Sequence, residues 1–238
     1  MKDFTFYGDL VAISSIYAAA PKMAYEKLNI YYNEVFHGLH DFYTGHSDRE
    51  IEMFSDSLVV KGPDFDDFVT AIAPIYMNLL AKGLMLRGAL VRGRLTYDVR
   101  LEKENFSKRL PDSDVLARAV ALERKVKGAR FVVEHEIADQ YLLHYPDWHT
   151  LHGYSANRRL GQRDVGIQRA LVPLPDGGAY EFLYPVIADQ DKVTLENRIS
   201  ESDYIASALP AEFSVHYVET KRILKHSLER LNDGRRHL

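Results

Sequence analysis

The sequence predicts an α/β fold of the α+β sandwich type: a mostly antiparallel sheet built in the order β-α-β-β-α-β, helices packed on one face, and a C-terminal extension. Three observations predict it. Short runs rich in β-branched and aromatic residues alternate with longer stretches whose apolar residues recur every three to five positions, the periods of strands and helices. Two of the short runs flank Asp56 within Ile51 to Gly62 (IEMFSDSLVVKG) and read as the arms of a hairpin. The chain has 238 residues, 46% of them hydrophobic, enough to bury a substantial core. It reads as one domain, with a core over residues 1–143 and an extension over 144–238.

Taken in order, the first strand is Phe4 to Ile13 (FTFYGDLVAI), interrupted by Asp9 just after Gly8. Ser14 and Ser15 offer caps for one long helix, signalled by Met23, Leu28, Tyr32, Val35, Leu39 and Phe42, whose apolar face covers the sheet. That strand-to-helix turn aims free N–H groups and the positive end of a helix dipole beside Asp9, which suits a triphosphate. An ordinary connection explains it equally well, and neither GxxxxGK[ST] nor GxGxxG occurs. After the hairpin, Gly62-Pro63-Asp64 starts a second helix with Phe65, Phe68, Val69, Ile72, Tyr76 and Leu79 on one face, kinked at Pro74 and ended by Gly83. Leu84 to Leu95 is a buried strand, with Gly88 and Gly93 at points of close approach and with Arg87 and Arg92 reaching solvent more readily than phosphate.

A polar stretch over 100–111 precedes a helix capped by Asp112 or Ser113, running to Lys127 and stopped by Gly128. Asp114 and Arg118 stand one turn apart on it, as a surface ion pair would. Phe131 to Val133 is a strand and Glu134 to Leu143 a short helix. Trp148, His149 and His152 read as a polar loop rather than a metal site, and Arg158, Arg159 and Arg163 as a solvated face. Pro173 to Gly178 turns a late hairpin that completes the sheet. From Ser200 the pattern is helical, split at Pro210, with Phe213, Tyr217, Ile223, Leu224, Leu228 and Leu231 as an apolar stripe. Arg235 and Arg236 complement its C-terminal end.

Composition excludes several classes. There is no cysteine, so disulfides, thiolate zinc sites and thiol catalysis are out, and a reducing cytoplasm fits. The N-terminus MKDFTFYGDL is no signal peptide, and no apolar run reaches the roughly 20 residues that span a bilayer. The expected protein is soluble, cytoplasmic and free of membrane contacts, and Asn105-Phe106-Ser107 is then no glycosylation site. A formal net charge of −4 argues against a nonspecific nucleic-acid binder.

The chemistry concentrates on Asp9 and Asp56. Each is a carboxylate set among strand residues that want burial, at a cost of several kcal/mol unless something pairs it. Either alone reads as well as a turn or cap residue. As a pair they suit divalent cations held by hard oxygen ligands.

Those residues carry a resemblance. YGDLVAIS, Tyr7 to Ser14, resembles the first metal motif of class III nucleotide cyclases, and FSDSLVV, Phe54 to Val60, resembles the second. LRGALVRG, Leu86 to Gly93, is similar to the strand that follows in that fold, and ARAVALE, Ala117 to Glu123, to its dimer-interface helix. Order and spacing fit over about the first 135 residues, most like the bacterial pyrimidine cyclases of the Pycsar antiphage system. The resemblance implies a ferredoxin-like class III core and two Mn²⁺ or Mg²⁺ ions on Asp9, Asp56 and the backbone carbonyl of Leu10. It implies substrate contacts at Ser14, Glu52 and Phe54, and Arg118 as a transition-state arginine given to a partner subunit in a homodimer. Aligning on the helix's closing Leu-Glu would put Ala117 and Ala121 at its functional positions instead. The implied substrate is a pyrimidine nucleoside triphosphate, UTP favoured, cyclised to a messenger in antiviral defence. Glu52, four residues before Asp56, is where purine-specific relatives place a base-reading Lys or Glu and keeps a purine cyclase open. A non-catalytic dimerisation domain is the third reading.

Overall fold

The computed structural model describes residues 3–98, 100, 109–144, 149–151, 163–165, 170–188 and 191–234. Strand β1 (Phe4–Leu10) lies between β3 (Ser57–Gly62) and β4 (Leu86–Arg92), antiparallel to both, and β2 (Glu50–Phe54) pairs with β3. With helices between β1 and β2 and between β3 and β4, this is the β-α-β-β-α-β unit read from the sequence. Outside β4, β5 (Phe131–Glu134) joins in parallel, followed by the antiparallel pair of β9 (Ala179–Phe182) and β8 (Leu171–Pro173). The seven-stranded order is β2-β3-β1-β4-β5-β9-β8, so the hairpin around Pro173 to Gly178 does extend the main sheet. A two-stranded sheet pairs β6 (His149–Leu151) with β7 (Arg163–Val165).

The expected long first helix is three. Helices α1 (Ile13–Ala19), α2 (Pro21–Gly38) and α3 (His40–Tyr43) follow one another. Apolar periodicity continues across Ala20-Pro21, but Pro21 has no N–H to continue a helix and disfavours helical backbone at the residue before it. Ala20 accordingly takes φ −152, and Pro21 opens α2. Ser14 and Ser15 do not cap α1; its N-cap is Ala12, in left-handed backbone at φ 66. Helix α4 (Phe65–Ala81) begins as expected, with Asp64 accepting from the Asp66 N–H at 3.0 Å, and continues through Pro74.

Helices cover both faces of the sheet, not one. Residues of α2 and α4 pack in one layer with Phe6, Leu58, Val60, Leu86, Leu90 and Phe131. Helix α5 (Val115–Arg124) buries Val115, Ala119 and Leu122 against Ala89, Val91 and Val132 on the other face. The reason lies in β4: Leu86 and Leu90 point one way, Ala89 and Val91 the other, and a strand apolar on both sides needs cover on both.

Beyond β5 come α6 (His135–His144), α7 (Tyr184–Ile187), α8 (Lys192–Ala208) and α9 (Ala211–Gly234). Helix α8 starts eight residues before Ser200 because the Asp191 side chain caps it, accepting from the Thr194 N–H at 2.7 Å. Helix α9 buries Ile223 and Leu224 in the α2–α4 layer. It also satisfies the turn into β5: His216 Nδ1 accepts from the Gly128 N–H at 3.0 Å and Thr220 Oγ1 from the Ala129 N–H at 2.8 Å. Among the described residues no helix is long and apolar enough to cross a membrane. Asn105 to Ser107, Trp148, His152, Arg158, Arg159, Arg235 and Arg236 lie outside the described residues, as do the side chains of His149 and Arg163.

Gly8 and Gly88 face each other across β1 and β4, beneath the Phe6 ring. A Cβ at Gly88 would stand 2.4 Å from Phe6 Cζ and 2.8 Å from the Tyr7 carbonyl oxygen. Gly88→Ala is therefore expected to destabilise the fold by about 1–3 kcal/mol, read as a lower urea midpoint at unchanged slope. An unchanged midpoint would show that β1 and β4 tolerate a wider spacing.

Candidate active site

The site is built where β1 ends beside the tip of the β2–β3 hairpin. Register places Asp9 between Ser57 on β3 and Arg87 on β4. The hairpin loop is Ser55-Asp56, with Ser55 at φ 55, a left-handed conformation a residue with a side chain holds at some cost. The Leu10 N–H donates to the Asp56 carbonyl oxygen at 3.1 Å and ties the strand end to that tip. The two half-buried aspartates, 47 positions apart in sequence, are thereby neighbours.

Their environment is electrostatically adverse. Burial, then the charges of Asp56 and Glu123, push the Asp9 carboxyl up to about 6, against the hydrogen bond from Ser57 and the charge of Arg87. The Ser57 hydroxyl donates to Asp9 Oδ1 at 3.3 Å and lies 3.3 Å from the Tyr7 hydroxyl, which makes a short polar chain across the face. Arg87, read from sequence as solvent-reaching, donates instead to buried Glu123 and to the Val126 carbonyl at 3.3 Å. Sequence reasoning missed this pair because its members stand 36 positions apart; the one local signal was a Glu closing an otherwise apolar helix face.

Strand alternation puts Glu52 and Phe54 on the same side of the sheet as Asp9, Ser57 and Tyr7. Both oxygens of Glu52 are occupied: Oε1 accepts from Lys61 Nζ at 2.5 Å and Oε2 from the Tyr97 hydroxyl at 3.0 Å. Lys61, only 3% exposed, also pairs with Glu50 at 2.7 Å. Phe54, at the strand end, is 85% exposed. Because α5 packs over β4, β1 and β5, the β3–β2 part of this face stays partly open, with Tyr7, Ser57 and Val59 only partly buried. Ser14 is exposed in the first turn of α1.

Arg118 stands apart. It donates to Glu134 and, at 2.7 Å, to the Arg92 carbonyl, and Nε lies 3.3 Å from Asp114 Oδ1. Arg92 pairs with Phe4, at the opposite end of β1 from Asp9, so Arg118 does not meet the aspartates of its own chain. Ala117 and Ala121 are exposed on the same helix. Among the described residues no three His, Cys, Asp or Glu side chains converge.

No family model and no curated protein matches the chain. Its fold is shared with the dimeric guanylyl cyclase domain of the RhoGC fusion protein from the aquatic fungus Blastocladiella emersonii: 13% identity, TM-score 0.50, over 76% of this chain and 93% of that one. The guanylyl cyclase Cya2 aligns at 12% identity and TM-score 0.49 over 76% of this chain and 91% of its own. The adenylyl cyclase CyaB from P. aeruginosa aligns at 11% and 0.48, over 76% and 92%.

The raised carboxyl makes a stability prediction for protein held in chelator. A folded-state value of about 6 against an ordinary 3.8 means Asp9 contributes its full stability below the ordinary value and loses it as pH rises through about 6. Asp9→Asn should melt above the parent at pH ~7.5, and the gap should close as pH falls towards ~4. A gap independent of pH would mean that Asp9 is not held in an adverse field.

Proposed function

We propose that this chain is a nucleotide cyclase converting a nucleoside triphosphate to a 3′,5′-cyclic nucleotide and pyrophosphate. The observation that carries the reading is the junction of Asp9 with Asp56 through the Leu10 N–H, on a shared cyclase fold. The donor set fits two Mn²⁺ or Mg²⁺ ions: two adjacent carboxylates, one of them destabilised by the other, with the Leu10 carbonyl as a further hard oxygen. Held by Asp9, Asp56 and the Leu10 carbonyl, such ions would supply Lewis acidity to a ribose 3′-hydroxyl and positive charge to a leaving pyrophosphate. The chain's own residues hold that arrangement. Ser57 donates to Asp9 and the Leu10 N–H ties the Asp56 backbone beside it; the exposed Ser14 and the N-terminal turn of α1 would face the phosphates. Arg118 is assigned to the site of a second copy in a homodimer, where it would stabilise charge on the α-phosphate.

For the base, the pyrimidine reading is favoured, UTP first, with a cytoplasmic messenger role in antiviral defence following from the sequence resemblance alone. One structural feature supports it against guanine. A guanine-reading carboxylate must accept from the base, and the Glu52 oxygens already accept from Lys61 and Tyr97. The purine reading rests on the presence of a Glu at that position, whose oxygens would have to accept from the base alongside Lys61 and Tyr97. A non-catalytic dimerisation role would leave the paired aspartates without a purpose.

Incubation of the purified protein with all four nucleoside triphosphates and Mn²⁺, with products identified by mass, is expected to give cyclic UMP or cyclic CMP. Cyclic AMP or cyclic GMP alone would overturn the pyrimidine reading, and no cyclic product with any substrate would overturn the cyclase reading. Asp9→Ala and Asp56→Ala should each abolish turnover without lowering the melting temperature.

Mixing Arg118→Ala with Asp56→Ala subunits should restore activity in heterodimers that contain one complete site. Loss of a transition-state charge contact typically costs on the order of 10²–10³ in rate, so rescue would stand well above either parent. Nearly full activity of Arg118→Ala by itself would remove Arg118 from the site.

A further inference from the structure

Asp9 and Arg87 stand directly across from each other on β1 and β4. Residues so placed in an antiparallel pair project from the same side of the sheet with Cβ atoms about 4.5–5.5 Å apart, and opposite charges there favour pairing. Arg87 does not turn to Asp9. Its Nε donates to Glu123 and its Nη1 to the Val126 carbonyl at 3.3 Å. Both acceptors lie at or just past the C-terminal end of α5, where the helix dipole favours a cation. Among the described residues the Asp9 carboxylate accepts from the Ser57 hydroxyl and forms no ion pair.

Burial decides between the two carboxylates. Glu123 is 2% exposed, whereas Asp9 is only partly buried. Leaving a buried carboxylate without its cation is far more costly than forgoing a cross-strand pair at a half-buried position, so Arg87 goes to Glu123. As a clamp of α5 on β4 alone the pair adds little. Ala89 and Val91 already pack with Val115, Ala119 and Leu122, and apolar residues in place of a buried ion pair are often as stable or more so. What the pair does change is the surroundings of Asp9, whose directly opposite cation is held off it.

We propose that Glu123 is a positioning residue for the Asp9–Asp56 site: by holding the Arg87 guanidinium against the end of α5 it keeps Arg87 from closing on Asp9, and so leaves that carboxylate open to a divalent cation. The proposal rests on the reading of the two aspartates as a cation site. A guanidinium fork and a metal ion compete for the same carboxylate oxygens. With residue 123 neutral, Arg87 has a charged acceptor directly across the strand pair. Asp9 then gains a cation from its own chain in place of one from solution.

The test uses the full chain and Mn²⁺ alone, with no nucleotide. Free Mn²⁺ is titrated by electron paramagnetic resonance against the parent, Glu123→Gln, the double variant Glu123→Gln/Arg87→Met, and Asp9→Ala. Glu123→Gln should hold Mn²⁺ at least about tenfold more weakly, and adding Arg87→Met should restore most of the affinity. Loss of the Glu123 charge would by itself weaken binding without moving Arg87, so two further measurements separate the causes. A crystal structure of Glu123→Gln grown in chelator should show the Arg87 guanidinium bonded to Asp9. Asp9→Asn, expected to raise the melting temperature of the parent in chelator, should lower that of Glu123→Gln, because there it removes the charged acceptor of Arg87. Equal Mn²⁺ affinity in parent and Glu123→Gln overturns this proposal while leaving the cation site intact. So does an Arg87 that stays against α5 in the variant, a failure of Arg87→Met to restore binding, or a rise in melting temperature with Asp9→Asn in both backgrounds. A Glu123→Gln chain that does not fold overturns it too, since an Arg87 able to turn to Asp9 would not be left unpaired. A parent that binds Mn²⁺ no better than Asp9→Ala removes the cation reading itself, and the role of Glu123 with it.

Discussion

Two like charges held side by side are the constraint on which the rest of this structure turns. Asp9 and Asp56 would move apart if the backbone let them. The Leu10 N–H to Asp56 carbonyl bond, the continuous β1–β3 ladder and the left-handed Ser55 together prevent it. The carboxylates of Asp56 and Glu123 oppose the ionisation of Asp9, and the guanidinium of Arg87 favours it. A fold seeking only stability would not keep that surplus of negative charge partly buried. Under the proposed reading, positive charge from outside the chain would offset that surplus.

The layers around the sheet follow from the need to hold that junction still. Phe6 fills the space over Gly8 and Gly88, which brings β1 and β4 into register so that Arg87 lies across from Asp9. Helix α5 then supplies Glu123 to Arg87 from above the sheet, while α2 and α4 close it from below. The C-terminal helices reach the same region indirectly. His216 and Thr220 bond the turn that precedes β5, and that turn supplies the Arg130 carbonyl that accepts from the Gly88 N–H at 2.9 Å.

How much of this was legible in the sequence depended on how local each cause was. Asp9 and Asp56 were readable because each interrupts an apolar strand, a signal within a few residues. The hairpins and the start of α4 were readable for the same reason, through Gly62-Pro63-Asp64 and PLPDGG. Pro21 was equally local, yet the apolar period passes smoothly across it, and the period outweighed the breaker. The second helical layer required noticing that β4 is apolar on both sides. The Arg87–Glu123 pair and the engagement of Glu52 by Lys61 and Tyr97 depend on register and packing between distant segments, and no local pattern encodes them.

The distribution of cations around the aspartates bears on whether one chain makes a whole site. Arg87 is the cation that acts on Asp9, and its guanidinium is committed to Glu123 and the Val126 carbonyl. Lys61, on the same face, is committed to Glu50 and Glu52. Arg118 is held by Glu134 at the far end of β4. If the proposed substrate binds there, a triphosphate beside Asp9 would meet cations already neutralised by their own partners. Two divalent ions would offset most of its charge, but a developing charge on the α-phosphate gains most from a donor placed before the reaction begins. On the same side of the sheet, Phe54 is exposed at the hairpin end and α5 presents Ala117 and Ala121 to solvent. A second copy packed against that face would cover the aromatic ring and bring its own arginine to the aspartates, which is the physical argument for a site shared between subunits.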